Sequence, residues 1–347
     1  MRNLVSIGDM SPEWWDRLYS RCCEIIAHPG DFSESCRGKI LATLFYEAST
    51  RTCFSFQSAM MRLGGSVFGF SGTGGTSVSK GESLADTIRT TACYSDTIVI
   101  RSPHEGAACA ASLYSEVPVI NAGDGGHFHP TQTLTDLTTI AQKRGSLSNL
   151  RIGLCGDLKY GRTVHSLTEA LSRFPGVSFY LISQPELRAP EYMKQGINYI
   201  EAESLSECIP ELDILYMTRI QRERFEDSDE GEQLYERLKD IYVLTKDQLA
   251  RARPDMLIMH PLPRCGEIAP EVDADPRAVY FEQARYGMYI RMALLLEFTR
   301  LPRIKPPPVE YALFECSNKN CVTTHEQCLP PLLSNSRCGY CDKPLHI

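Results

Sequence analysis

The sequence predicts an α/β chain built from two parallel-sheet domains and closed by a small cysteine-rich module. Three observations predict it. Apolar, β-rich runs at Ile40 to Tyr46, Val67 to Phe70, Thr97 to Ile100 and Val117 to Asn121 are separated by segments in which Leu84, Ile88 and Ala92, or Leu134, Leu137 and Ala141, recur at helical spacing. A second series starts at Arg151 to Cys155 and continues through Ser178 to Ser183, Asp213 to Met217 and Leu257 to His260. Beyond Leu301 the alternation stops and cysteines gather. Strand, helix, strand in strict succession is the grammar of a parallel sheet, and the junction of the two series falls inside the helical pattern from about Thr131 to Lys143.

The bulk properties exclude several classes. At 347 residues the chain has room for two core-bearing domains and an appendage. A net charge of −7 gives no generic attraction to nucleic acid or to an anionic membrane, so any anion site has to be built locally. No apolar run nears the roughly 20 residues that cross a bilayer, and the N-terminus lacks a signal-peptide pattern. The expected location is the cytoplasm. Nine of the 14 cysteines lie among apolar neighbours, Cys53, Cys93, Cys109 and Cys155 being typical, and are expected to be reduced and buried.

Taken in order, the elements place polar motifs at the carboxyl ends of the strands, where ligands sit in such sheets. After Ile40 to Tyr46 comes Ser49-Thr50-Arg51-Thr52, followed by Phe56, Met60 and Leu63 at helical spacing. Hydroxyls and a guanidinium at a helix N-terminus form an anion seat, with phosphate the expected guest, although a Ser-Thr pair alone also serves as a plain N-cap. The loop from Gly72 to Glu82 carries Ser77 and Lys80 among many glycines, without P-loop spacing. Arg101 closes the strand Thr97 to Ile100, and His129-Pro130-Thr131-Gln132 follows the turn Gly123-Asp124-Gly125-Gly126. In the second series the strand ends carry Gly156 to Thr163 with Arg162, Thr218-Arg219-Ile220-Gln221, and His260-Pro261-Leu262-Pro263-Arg264. Arg51, Lys80, Arg101, Arg162, Arg219 and Arg264 thus choose ligand-facing ends in an acidic protein. Arginine suits bidentate capture of phosphate and carboxylate. No HExxH, GxSxG or GxGxxG pattern occurs, so the motifs favour position and electrostatics over zinc hydrolysis, acyl-serine or dinucleotide chemistry.

Five motifs in register, Phe45 to Thr52, His129 to Leu134, Gly156 to Thr163, Tyr216 to Arg219 and His260 to Arg264, resemble the aspartate carbamoyltransferase catalytic chain from about residue 40 to 300. The resemblance implies a carbamoyl-phosphate domain over 1–135, completed by C-terminal helices at about 285–301, and an aspartate domain over 136–284. It implies carbamoyl transfer from carbamoyl phosphate to the amino group of L-aspartate, early in pyrimidine synthesis, with no cofactor for the chemistry. The implied assembly is a homotrimer, or a higher homo-oligomer, with sites at subunit interfaces. Carried over by position, Ser49, Thr50, Arg51 and Thr52 hold the phosphate, and Thr52, Arg101 and His129 face the carbamoyl oxygen. Gln132 and the carbonyls of Pro261 and Leu262 take the carbamoyl amide. Arg162, Arg219 and Gln221 contact aspartate, with Lys80; Ser77 and Lys80 come from a neighbouring subunit. The loop from Gln221 to Lys239 resembles the segment that closes over substrate. Cys53 departs from the family, which often has arginine there. An ornithine enzyme is the nearest alternative, but it usually shows His-Cys-Leu-Pro where this chain has His260-Pro261-Leu262-Pro263, and two arginines would repel an ammonium side chain. A catalytically silent anion-binding scaffold is the alternative from another class.

The tail begins with a proline-rich linker, 302–309, expected to extend roughly 3 Å per residue. Over 310–347, Cys316 and Cys321 form a CxxxxC pair and Cys338 and Cys341 a CxxC pair, with Cys328 and His325 in reserve. In a reducing compartment this reads as a closed, structural four-thiolate Zn2+ site, in a segment too small to fold on an apolar core alone. The tail also resembles the zinc domain of the separate aspartate carbamoyltransferase regulatory chain, without the nucleotide domain of roughly 90 to 100 residues that precedes it there. Such a tail is expected to hold chains together.

Overall fold

The computed structural model describes residues 1–222, 225, 228–309, 316–326, 329–334 and 336–344; Cys328 and part of the loop from Gln221 to Lys239 lie outside them. The chain divides into two compact units, Met1–Leu134 with Gly287–Ile347, and Thr135–Tyr286.

The first unit opens with helix α1 (Pro12–Ala27), whose start is set by Pro12 and by Ser11, which accepts the Trp14 amide. Its Trp14, Leu18, Cys22 and Ile25 recur at helical spacing and are buried. Strands β1 (Ile40–Phe45), β2 (Ser66–Ser71), β3 (Thr97–Ser102) and β4 (Val119–Asp124) form a four-stranded sheet in the order β2-β1-β3-β4. All three pairings are parallel. Helices α2 (Thr50–Arg62), α3 (Leu84–Tyr94) and α4 (Ala107–Tyr114) make the crossovers. Strands β1, β3 and β4 are buried almost throughout, which is why they read as continuous apolar runs; β2 is an exposed edge. Gly69 of β2 lies so close to β1 that a Cβ there would meet the Thr43 carbonyl at 2.0 Å.

The second unit contains β5 (Arg151–Cys155), β6 (Ser178–Ile182), β7 (Tyr199–Ala202), β8 (Ile214–Met217) and β9 (Leu257–Met259), all parallel, in the order β7-β6-β5-β8-β9. Helix α6 (Arg162–Leu171) follows β5, and α9 (Asp229–Leu238) and the single-turn helices α7 (Glu191–Lys194), α8 (Leu205–Cys208) and α10 (Lys246–Leu249) complete the connections. Helices α5 (Pro130–Arg144) and α11 (Tyr280–Phe298) contain the two division points of the chain. Two parallel-sheet α/β units are therefore present, as the alternation required. Strand β7 was not expected: Tyr199, Ile200 and Glu201 are exposed, so this edge strand lacks the apolar signature of its neighbours and exists by pairing with β6.

The tail packs against the first unit of its own chain. Arg303 donates to the carbonyls of Ala92 and Ser95 at 2.7 and 2.6 Å, and the Ile304 amide to Glu116 at 3.0 Å, so the linker is anchored rather than free. Cys316, Cys321, Val322, Leu329, Cys338, Tyr340 and Cys341 share one core with Ala107, Ala108, Ala110, Ala111 and Tyr114 of α4. Short alanine side chains let the module sit close. Strands β10 (Leu333–Ser334) and β11 (Arg337–Cys338) pair antiparallel.

Not every scattered cysteine is buried. Cys93 and Cys265 are exposed and Cys109 is half-buried. Cys93 follows Ala92, which faces the core, and the helical turn of 100° per residue carries it outward.

Candidate active site and metal cluster

In an open parallel sheet, ligands bind where strand order reverses, because the flanking loops there diverge to opposite faces and leave a crevice. The first unit reverses between β1 and β3, the second between β5 and β8.

At the first switch point Phe45 and Arg101 are register partners, and the Tyr46 amide donates to the Arg101 carbonyl at 2.8 Å. The chain then turns through Glu47 into α2, whose N-cap Ser49 makes no side-chain capping bond. Ser49, Thr50 and Arg51 are half-buried or exposed at the helix N-terminus, while Thr52 is buried. Arg101 is largely buried, with its side chain 11% exposed; Nη2 lies 2.9 Å from Glu47 Oε2, and Nη1 donates to the Ala122 carbonyl at 3.3 Å. Among the described residues its Nε has no hydrogen-bond partner. Burial pulls the Arg101 pKa down, and Glu47 opposes that shift.

His129 is buried at the start of α5, with Thr131 Oγ1 3.4 Å from its Nδ1 and the Gln132 amide bonded to its carbonyl at 2.9 Å. Gly123 brings this ring to Arg101: a Cβ at Gly123 would lie 2.9 Å from Arg101 Nη1 and 3.4 Å from His129 Cδ2. Its φ of 119° is one that only glycine adopts readily. Ser77 and Lys80 lie on a separate exposed turn, Ser77–Lys80.

At the second switch point the loops after β5 and β8 touch. The Thr218 hydroxyl donates to the Cys155 carbonyl at 3.0 Å and accepts the Asp157 amide at 3.1 Å. A Cβ on Gly156 would meet the Thr218 carbonyl at 2.4 Å. Arg162 begins α6 and Arg219 and Gln221 follow β8, all half-buried. His165 fixes the loop by bonding the Leu158 carbonyl through Nε2 at 2.7 Å, with Tyr192 Oη 2.9 Å from Nδ1.

Beyond β9, His260 Nδ1 accepts the Leu262 amide at 2.7 Å, so Nε2 carries the proton and faces Glu267 Oε1, also at 2.7 Å. This holds Leu262 at φ 54°, a left-handed conformation that a leucine adopts only under constraint. Burial raises the Glu267 pKa, but hydrogen bonds from His260 and from the amides of Cys265 and Glu267 outweigh it and leave the pKa lowered. Arg264 is taken up by Asp273 and the Tyr280 hydroxyl.

The four expected metal-ligating cysteines converge. Cys316, Cys321, Cys338 and Cys341 are buried and their sulfurs all lie within 4.8 Å of one another. Sγ of Cys316 and Cys341 are 3.6 Å apart, those of Cys321 and Cys338 3.8 Å. Disulfide sulfurs would be ~2.05 Å apart, whereas a tetrahedral zinc with ~2.3 Å bonds sets its sulfurs ~3.8 Å apart. The Asn318 amide and the Thr323 hydroxyl donate to Cys316 and Cys321 sulfurs at 3.4 and 3.2 Å, as suits thiolates. Hydrogen bonds from Cys321 and Cys338 lower the Cys341 pKa strongly, while Cys338 and Cys341 raise that of Cys321. The donor set fits a zinc ion. His325 instead bonds the Lys319 carbonyl at 3.0 Å through Nε2.

Glu47, Gly123, Glu105, Asp124, His127 and Glu267 had no role in the sequence reading. Glu47 and Gly123 lie inside the motifs that carried it, but only the fold shows what they touch.

Two doubly wound sheets with arginine-bearing loops at both switch points define a class of α/β protein built to hold phosphate and carboxylate groups. The chain belongs to the aspartate/ornithine carbamoyltransferase family: residues 2–142 match its carbamoyl-P binding domain and residues 148–298 its Asp/Orn binding domain. It is 56% identical over 301 residues to the aspartate carbamoyltransferase catalytic subunit of Clostridium kluyveri, covering 85% of this chain and 97% of that one. The corresponding subunit of Clostridium perfringens is 57% identical over 300 residues, covering 85% of this chain and 96% of its own. Among solved structures, the aspartate transcarbamoylase of Trypanosoma cruzi in complex with carbamoyl aspartate and phosphate superposes with a TM-score of 0.79 at 38% identity, over 85% of this chain and 95% of that one. The catalytic subunit of the M. jannaschii enzyme gives 0.79 at 45% identity, over 86% and 98%.

Proposed function

We propose that this chain is the catalytic chain of an aspartate carbamoyltransferase, acting early in pyrimidine synthesis in the cytoplasm. The observation that carries the reading is the presence of arginine-bearing loops at the switch points of both sheets, joined in the first by the hydroxyls of α2 and by His129. The first unit takes carbamoyl phosphate, the phosphate on Ser49, Thr50, Arg51 and Thr52 and the carbamoyl oxygen on Thr52, Arg101 and His129. Gln132 and the Pro261 and Leu262 carbonyls receive the carbamoyl amide, and Arg162, Arg219 and Gln221 receive the aspartate carboxylates. Ser77 and Lys80 act in a neighbouring chain's site within a homotrimer, which suits their exposed turn.

The aspartate amino nitrogen attacks the carbamoyl carbon, and charge gathers on the carbamoyl oxygen where cationic donors stabilise it. The carbon–oxygen bond to phosphate then breaks, and the leaving phosphate accepts the proton from the nitrogen. The four cysteines hold a structural zinc ion, in a module akin to the zinc domain of the regulatory chain.

The test is phosphate release from carbamoyl phosphate by the purified chain, alone, with L-aspartate and with L-ornithine. Release dependent on aspartate, with N-carbamoyl-L-aspartate as product, is expected. Preference for ornithine, or no transfer to either, overturns the reading.

A further inference from the structure

The C-terminal module grips the loop that follows Arg101 and the loop that precedes His129. The Glu105 amide donates to the Asn320 carbonyl at 2.8 Å and the Val322 amide to the Glu105 carbonyl at 2.9 Å, a parallel β-bridge between module and body. Asn318 Nδ2 adds a 2.7 Å bond to the Glu105 carboxylate, and the Asn318 side chain is almost wholly buried. Glu105 lies four residues beyond Arg101. On the other loop, His127 stands between Asp124 of the body, 3.3 Å from its Nδ1, and Asp342 of the module, 3.1 Å from its Nε2. His127 lies two residues before His129.

Asp124 joins the two loops. Its carboxylate accepts the Gly106 amide at 2.8 Å and the Phe128 amide at 2.9 Å, and the Gly125 amide bonds the Ser102 carbonyl at 2.9 Å. A third contact sets the start of α3, beyond the loop of Ser77 and Lys80: Glu326 accepts the Leu84 amide at 3.0 Å. Module residues therefore complete the hydrogen bonding of segments that flank Arg101, His129 and Lys80. Arg101 and His129 converge on Gly123 with little room to shift, and a small displacement of either donor is costly in a preorganised site.

We propose that the module is a positioning element for the carbamoyl-phosphate site of its own chain, with Asp342, through His127 and Asp124, its principal positioning residue. The proposal rests on the reading of the first unit given above. Its role is distinct from joining chains.

The test uses the full-length, zinc-loaded chain and the variants Asp342→Ala, Asp342→Glu and Glu326→Gln. Asp342→Ala should keep its zinc content and assembly mass, yet raise the KM for carbamoyl phosphate about 3- to 10-fold and weaken inorganic phosphate binding to the same extent. The KM for aspartate at saturating carbamoyl phosphate should move less than 2-fold. Amide exchange should quicken in 102–106 and 124–129, and Asp342→Glu should restore most of the loss. Glu326→Gln should quicken exchange at the start of α3. Unchanged phosphate binding and unchanged exchange in zinc-replete Asp342→Ala overturn the proposal, as does an altered assembly mass with normal phosphate binding. If the native chain transfers no carbamoyl group, the functional reading fails, while phosphate binding and exchange still decide this one.

Discussion

The Arg101 guanidinium and the Glu47 carboxylate lie 2.9 Å apart, so a buried cation at the first switch point is compensated by an acid from the very turn that leads into α2. The same guanidinium holds the Ala122 carbonyl with its other terminal nitrogen. The planar fork presents the two terminal nitrogens to these partners in a fixed, spread geometry that a compact ammonium does not reproduce. Arg101→Ala should lower turnover by about 10² to 10³ while leaving the far-UV circular dichroism intact. Arg101→Lys should recover less than about a tenth of that loss, since the charge returns without the fork. Near-normal turnover in purified Arg101→Ala contradicts the assignment.

The Leu262 turn is held by a two-step relay, Glu267 to His260 to the Leu262 amide. Glu267→Ala leaves the buried His260 donor without its acceptor, at a cost of about 1–3 kcal/mol. Melting should fall by several degrees and the KM for carbamoyl phosphate should rise, because the carbonyls of Pro261 and Leu262 lose their fixed orientation. The lowered Glu267 pKa means the native state binds fewer protons than the unfolded chain, so this stabilisation is present above the ordinary value of 4.5 and lost as pH falls below it. The melting difference between wild type and Glu267→Gln should therefore shrink on acidification; a constant difference down to pH 3 refutes the relay.

His127 predicts the opposite slope. Burial alone would lower its pKa, but the bonds to Asp124 and Asp342 outweigh that and raise it to about 10. The native state then binds the extra proton, so the stabilisation is complete below the ordinary imidazole value of 6.5 and is lost as pH rises from there to about 10. Thermal melts across this range should show a decline of at most about 1.4 kcal/mol per pH unit, and His127→Gln should flatten it. Equal slopes in the two proteins would sink this account.

The cysteine cluster predicts a single zinc per chain, measured by elemental analysis after dialysis. Cys338→Ser removes one of four ligands and should leave little metal bound, with amide exchange rising first in the module. Full zinc retention in that variant would assign the ligands elsewhere.

The interior strands and the strand-end motifs were legible because parallel sheets bury both faces and put their ligand loops at one edge. Strand β7 was not legible: it has no apolar run, and its existence depends on β6 beside it. The strand-end arginines stood out in an acidic chain, but their counterparts did not. Glu47 and Glu267 are ordinary acids in sequence and acquire meaning only when the fold sets them against Arg101 and His260. The cysteine spacing pointed to the four thiols that converge, whereas the site where the module rests is written in the alanines of α4 and in Gly106, against which Tyr340 packs. Small residues carry no signal of what they leave room for.

The anchoring of the linker at Arg303 and Ile304 has a consequence for metal exchange. A module stripped of metal would remain leashed beside its seat at an effective concentration of order millimolar, so its re-docking would be an intramolecular event that dilution does not slow. Stripping and reloading with zinc should accordingly be reversible in dilute protein, where a separate zinc-bearing subunit would drift away.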